Sequence, residues 1–182
     1  MGQAEQVRET AGAALAGSGV VVEDVAVHPA GRRRLVRVGV ARDVAHLLAD
    51  DLSTPVEPLT LDEVADASRV VGSALDDSDA MGAAPYTLEV SSLGVDHPLT
   101  TPAQFRRNVG RLLRVRLTPT EGESDDPKTQ TQTQTEGRLT EAGPDGIRLD
   151  GGTKTPEGLL PYDRIAAATV QVEFTRPGGK DN

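Results

Sequence analysis

Metal or general-base chemistry in this chain would have to start from its three histidines, His28, His46 and His97. A metal site needs several ligands that converge, most readily as histidines one helical turn or two strand positions apart. No such pair occurs here. The adjacent acids Asp50-Asp51 and Asp76-Asp77 could in principle share a proton. Each pair falls in a polar loop or at a helix end, where carboxylates stay solvated and ordinarily acidic. Gly17-x-Gly19 follows a helical pattern instead of a strand, the wrong context for a phosphate-binding loop. Ser91 and Ser92 lack the G-x-S-x-G elbow of a serine nucleophile. With no cysteine, thiolate catalysis, disulfides and Cys-ligated metals drop out. The expectation is a protein that is not an enzyme and carries neither cofactor nor metal.

What remains is recognition of charge. Arg32, Arg33 and Arg34 crowd one short stretch, and Arg106, Arg107, Arg111, Arg114 and Arg116 form a second, with no acid between Asp96 and Glu121. Guanidinium forks bind phosphate bidentately, so Arg32, Arg33, Arg34, Arg106, Arg107 and Arg111 are candidates for RNA or partner contact. Solvation or pairing within the chain is the plainer role for either cluster. Aromatic residues interleaved for base stacking are missing, and Phe105 reads as core.

These residues must be positioned by a short series of elements. Residues 3–16 read as a helix with Val7, Ala11, Ala14 and Leu15 on one face. Val20–His28 is a β-branched run; Pro29-Ala30-Gly31 turns it, and Arg32–Ala41 returns as a second strand with Val36, Val38 and Val40 on one face. Val44–Ala49 could make a helical turn in the connection that follows. Thr60 with Glu63 forms a capping box for a second long helix, whose expected apolar stripe is Leu61, Val64, Ser68, Val71 and Leu75. Tyr86, Leu88 and Val90 alternate with polar residues as a third strand. Thr101, Pro102 and Gln104 then open a short helix over about 102–108.

Beyond it the spacing predicts strands at Arg111–Leu117, Thr129–Glu141, Ile147–Asp150, Gly158–Pro161 and Ala166–Phe174, with one helical turn at Tyr162–Arg164. An acidic loop fills 120–128, and 177–180 read as a frayed tail. The Thr-Gln alternation at 129–135 reads as an exposed strand extension. The expected fold class is α+β: an α-β-β-α-β two-layer sandwich over residues 1–99, then an SH3-like (Sm-like) small β-barrel over residues 100–182.

Between these parts Tyr86–Leu99 reads YTLEVSSLGVDHPL. The strand stops abruptly in turn chemistry, where Gly94 is the only residue that takes positive φ without cost and Pro98 blocks strand continuation. The run Leu88, Glu89, Val90, Ser91, Ser92, Gly94, Asp96, Pro98 and Leu99 resembles the central signature of the ribosome maturation factor RimP family. Leu93 stands where that family has proline, and His97 where it has arginine. The short helix with Phe105 and Gly110 and the closing LPYDRIAAATV (160–170) are also similar. The resemblance implies assembly of the small ribosomal subunit, with the subunit precursor and the basic small-subunit ribosomal protein numbered twelve as partners. It makes Ser91, Ser92, Gly94, Asp96, His97 and Pro98 an interdomain turn.

Charge points the same way independently. The net charge is −9, and residues 1–90 carry 7 basic against 15 acidic groups, whereas residues 91–182 carry 12 against 13. A strongly acidic half repels phosphate and attracts cationic protein surfaces. Taken alone, keeping a cytoplasmic protein soluble is the plainer role for that acidity. The start MGQAEQVRET lacks a basic and apolar leader, and no stretch approaches a membrane span. A cytoplasmic monomer without membrane contact is expected.

Overall fold

The computed structural model of the protein describes residues 2–82, 84–94, 97–118, 134–151 and 157–173. The chain is mixed α and β and divides into two compact units. Residues 1–43 and 57–94 form the first; residues 44–56 and 95–182 form the second.

In the first unit, helix α1 (Gln3–Leu15) precedes strands β1 (Val20–Ala30) and β2 (Arg33–Arg42), then helix α3 (Leu61–Asp76) and strand β3 (Tyr86–Ser92). β2 is the central strand, antiparallel to β1 and parallel to β3. Val36, Val38 and Val40 are fully buried with Val7, Ala11 and Leu15 of α1 and Ala67, Val71 and Leu75 of α3. Each valine or leucine among them contributes about 1.5–3 kcal/mol when withdrawn from water. β1 runs two residues further than expected, through Pro29 and Ala30. Pro29 is tolerated because Arg34, its partner in register, sends its own N–H the other way, to the Pro85 carbonyl at 3.1 Å. The missing N–H of Pro29 therefore faces the open edge of β1. The hairpin turns on Gly31, at φ +64°.

The capping box at Thr60 and Glu63 is formed, but Leu61 does not join the stripe of α3: it is 89% exposed. As the first residue of the helix its Cβ leans toward the N-terminus, past the end of the core. Burial begins only with Val64 and continues through Ala67, Val71 and Leu75.

The second unit holds the short helices α2 (Leu47–Asp50) and α4 (Pro102–Arg107) and strands β4 (Leu112–Leu117), β5 (Gln134–Ala142), β6 (Gly146–Asp150), β7 (Leu160–Pro161) and β8 (Ile165–Val170). A 3₁₀ turn at Tyr162–Arg164 joins the last two strands. All pairings are antiparallel in the order β7-β6-β5-β4-β8. Among the described residues β7 and β8 do not pair with each other, so the pairing by itself describes an open five-stranded sheet. Its core gathers Leu99, Phe105, Leu113, Val115, Leu139 and Ile147. The expected acidic loop 120–128, the start of the fifth strand at 129–133, Phe174 at the end of the last strand and the tail 177–180 lie outside the described residues.

Candidate functional site

The signature begins on β3, where Tyr86, Leu88 and Val90 turn toward the helices and Thr87 and Glu89 are exposed. Tyr86 donates its hydroxyl to Asp76 at 2.6 Å, and burial, followed by that carboxylate, pushes its pKa up to about 12. Ser91 and Ser92 are exposed at the strand's end, in register with Gly39 and Val40. Leu93 lies over Gly39: a Cβ added there would sit 2.7 Å from Leu93 Cδ2. The bare glycine makes room for the leucine. Gly94 is exposed but is not at positive φ, and a Cβ there would touch nothing. The left-handed freedom that only glycine has at this point is not used. Asp96 lies outside the described residues, His97 is half-buried and Pro98 is exposed.

After this stretch the chain is gripped at once. The Leu99 N–H donates to the Ala168 carbonyl of β8 at 2.9 Å, and Leu99 itself is buried. Thr101 and Gln104 form the second capping box, with Gln104 Oε1 also accepting from the Thr100 N–H at 2.7 Å. Phe105 packs on Tyr162 with ring centroids 5.3 Å apart. A pocket of about 190 Å³ opens beside them, walled by Pro98, Leu99, Thr100, Phe105, Tyr162 and Ala166 among others. Its one ionisable group is Tyr162, whose hydroxyl donates to the Gly143 carbonyl at 2.6 Å. Burial, then the negative charge of Asp145, raises that phenol to about 12. A phenol held protonated at neutral pH and already donating to a carbonyl is not placed to move protons. Among the described residues no three of His, Cys, Asp and Glu come together in a metal-binding group.

The arginine candidates separate sharply. Arg32 and Arg33 are exposed at the tip of the β1–β2 hairpin. Arg34 is half-buried and donates from Nη1 to the Met81 carbonyl at 3.1 Å. Arg107 is half-buried and engaged, and Arg111 is exposed. Arg106 is fully buried, so it cannot reach an external phosphate. Its Nε donates to the Asp51 carbonyl at 2.6 Å, its Nη1 to the Thr54 carbonyl at 2.7 Å, and its Nη2 lies 3.4 Å from Asp51 Oδ1. The Thr54 backbone N–H is the main cause holding the Asp51 carboxyl below its usual range; the charge of Arg106 is a smaller one.

Sequence reasoning missed this clasp. The only local signal was the turn Asp51-Leu52-Ser53-Thr54, in which Asp51 Oδ1 accepts from the N–H groups of Ser53 (3.2 Å) and Thr54 (2.9 Å). Nothing in that turn points to a residue more than fifty positions away. Leu52 extends the grip: its carbonyl accepts from the Ala142 N–H at 2.9 Å, and a Cβ on Gly143 would meet its side chain.

Comparison with known proteins bears on what these surfaces are for. Residues 10–96 match the family described as the RimP N-terminal domain. A curated protein of Kineococcus radiotolerans, named ribosome maturation factor RimP, is 40% identical over 173 residues, covering 89% of this chain and 74% of that protein.

Proposed function

The chain belongs to the RimP family of ribosome maturation factors, and from that premise we propose that it assists assembly of the small ribosomal subunit by binding, without catalysing a reaction. The observation that carries the reading is the extent of its likeness to the Kineococcus factor, which takes in both halves of the chain. In this reading residues 1–99 are an acidic α/β domain and residues 100–182 a small SH3-like barrel, with the turn at Ser91–Pro98 as the junction. Five short strands with a single 3₁₀ turn before the last support the barrel.

The partners are the precursor of the small subunit and its basic protein numbered twelve. An acidic surface of net −8 over residues 1–90 attracts such a protein and shields it from premature contact with RNA. The protein then leaves when mature contacts compete. Among the described residues no helix is long and apolar enough to cross a membrane. In this reading the protein works on ribosomes in the cytoplasm, as a monomer. The exposed arginines support a second reading, direct contact with ribosomal RNA.

The test is a pull-down from cells assembling ribosomes, with the tagged full chain as bait. Recovery of immature small subunits together with the basic protein is the expected result. Recovery of neither would overturn the reading.

A further inference from the structure

Five arginines and a histidine fall between Asp24 and Asp43 with no acid among them, and they differ in what their side chains already hold. Arg42 is committed to the Glu57 carbonyl and to both carboxylate oxygens of Glu63, each at 2.9 Å. Arg34 holds the Met81 carbonyl, and Arg37 pairs with Glu89 at 2.8 Å. Arg32 and Arg33 have no such commitment: both are exposed at the hairpin tip, and their side chains make no hydrogen bond or ion pair with the described residues.

We propose that this tip is an RNA-backbone contact in which Arg32 and Arg33 each take a phosphate. The proposal rests on the ribosome-assembly reading for the source of the RNA, but the chemistry stands on the tip itself. Guanidinium groups match phosphate oxygens with paired N–H donors and are less strongly hydrated than ammonium groups.

Acidic groups weaken this only where they lie close, because charges more than about 8 Å away are largely screened at physiological ionic strength. Asp24 is opposite Gly39, near the other end of the hairpin. Six residue steps along the strand separate it from Ala30, roughly 20 Å at the rise of a strand. Glu89 is neutralised by Arg37, whereas Asp76 keeps its charge while accepting from the Tyr86 hydroxyl on the helix side of the sheet. A protein partner fits less well. Protein interfaces centre on a buried apolar or aromatic anchor. The exposed large hydrophobic residues among those described are Leu61, Val70, Leu159 and Val172, none of them on this sheet. Phosphate contact needs no such anchor.

The test measures fluorescence anisotropy of a labelled single-stranded oligouridylate against the full chain over a series of salt concentrations. For Arg32→Glu/Arg33→Glu the expected result is an affinity about tenfold or more lower at low salt. The slope of log affinity on log salt should flatten by about 1.4, roughly 0.7 for each phosphate lost. Arg69→Glu, a charge reversal on the exposed side of α3, should leave both unchanged. Both variants should keep the wild-type melting temperature, since the altered side chains are exposed. Equal affinity and slope in wild type and double variant, or no binding by wild type, would overturn the proposal. Loss of particles from the pull-down with RNA affinity unchanged would also overturn it and assign the tip to a protein. Failure of the wild-type chain to recover particles would overturn the assembly reading alone, because the oligouridylate titration contains no ribosomes.

Discussion

Replacing Arg106 with methionine should loosen the second unit while leaving the first intact. The side chain is fully buried, so its cation has given up water and depends on two backbone carbonyls and the Asp51 carboxylate. Methionine keeps the apolar stem and removes every donor. Each charge-assisted bond contributes about 1.5–3 kcal/mol. Water can repair part of the loss, because Asp51 is 34% exposed and Thr54 is exposed. A net cost of about 2–4 kcal/mol follows.

A competing expectation is that a buried ion exchanged for a hydrophobe is often neutral or stabilising. That holds when both charged partners are replaced together; here the main acceptors are backbone carbonyls, which no substitution removes. Hydrogen exchange read by mass spectrometry separates the two units. Peptides covering 44–56 and β4–β6 should lose protection by about 30-fold or more, at one decade per 1.4 kcal/mol. Peptides covering β1 and β2 should be unchanged. Asp51→Asn should cost less, because both carbonyl acceptors survive. Unaltered protection of 44–56 in Arg106→Met would refute the clasp.

Gly146→Ala should destabilise the second unit by about 2 kcal/mol or more in urea unfolding, because a Cβ there runs into the Leu160 carbonyl and backbone cannot yield as a side chain does. Thr60→Ala should cost about 1 kcal/mol by removing the oxygen that accepts from the Glu63 N–H at 3.2 Å. Leu61→Gln, next to it, should stay within about 0.5 kcal/mol, since that side chain is already in water. Stability should fall in acid: Asp51 and Glu63 have lowered carboxyl pKa values in the fold, chiefly through backbone N–H groups of Thr54 and Thr60. Their contribution is present above the ordinary carboxylate range and lost as pH drops through the lowered values, and Asp51→Asn with Glu63→Gln should flatten that limb of a urea-midpoint profile. In alkali the sign reverses. Tyr86 and Tyr162, raised from 10.0 to about 12, add stability below pH 10.0 that disappears as pH climbs toward 12, and phenylalanine at both positions should remove the slope.

How much of this was legible in the sequence depends on the range of the forces involved. The capping boxes at Thr60 and Thr101 were readable because donor and acceptor lie within four residues of each other. The valine alternation of β2 and the single turn at Tyr162–Arg164 were readable for the same local reason. Leu61 was misread because periodicity says which side of a helix is apolar but not where the core beneath it ends. The arginines illustrate the limit most clearly. Arg32 and Arg106 belong to similar basic clusters, yet one is exposed at a hairpin tip and the other is wholly buried against Asp51 and Thr54. Only tertiary packing distinguishes them, and the signature itself was identified by its likeness to a family, not by any chemistry it contains.

The most direct measurement is a sucrose-gradient profile of ribosomal particles from cells lacking this protein, beside the same cells supplied with it. Accumulation of immature small subunits, with fewer full ribosomes and with both reversed when the wild-type chain is restored, is the predicted result. A normal profile in its absence, or a defect confined to the large subunit, would contradict the account.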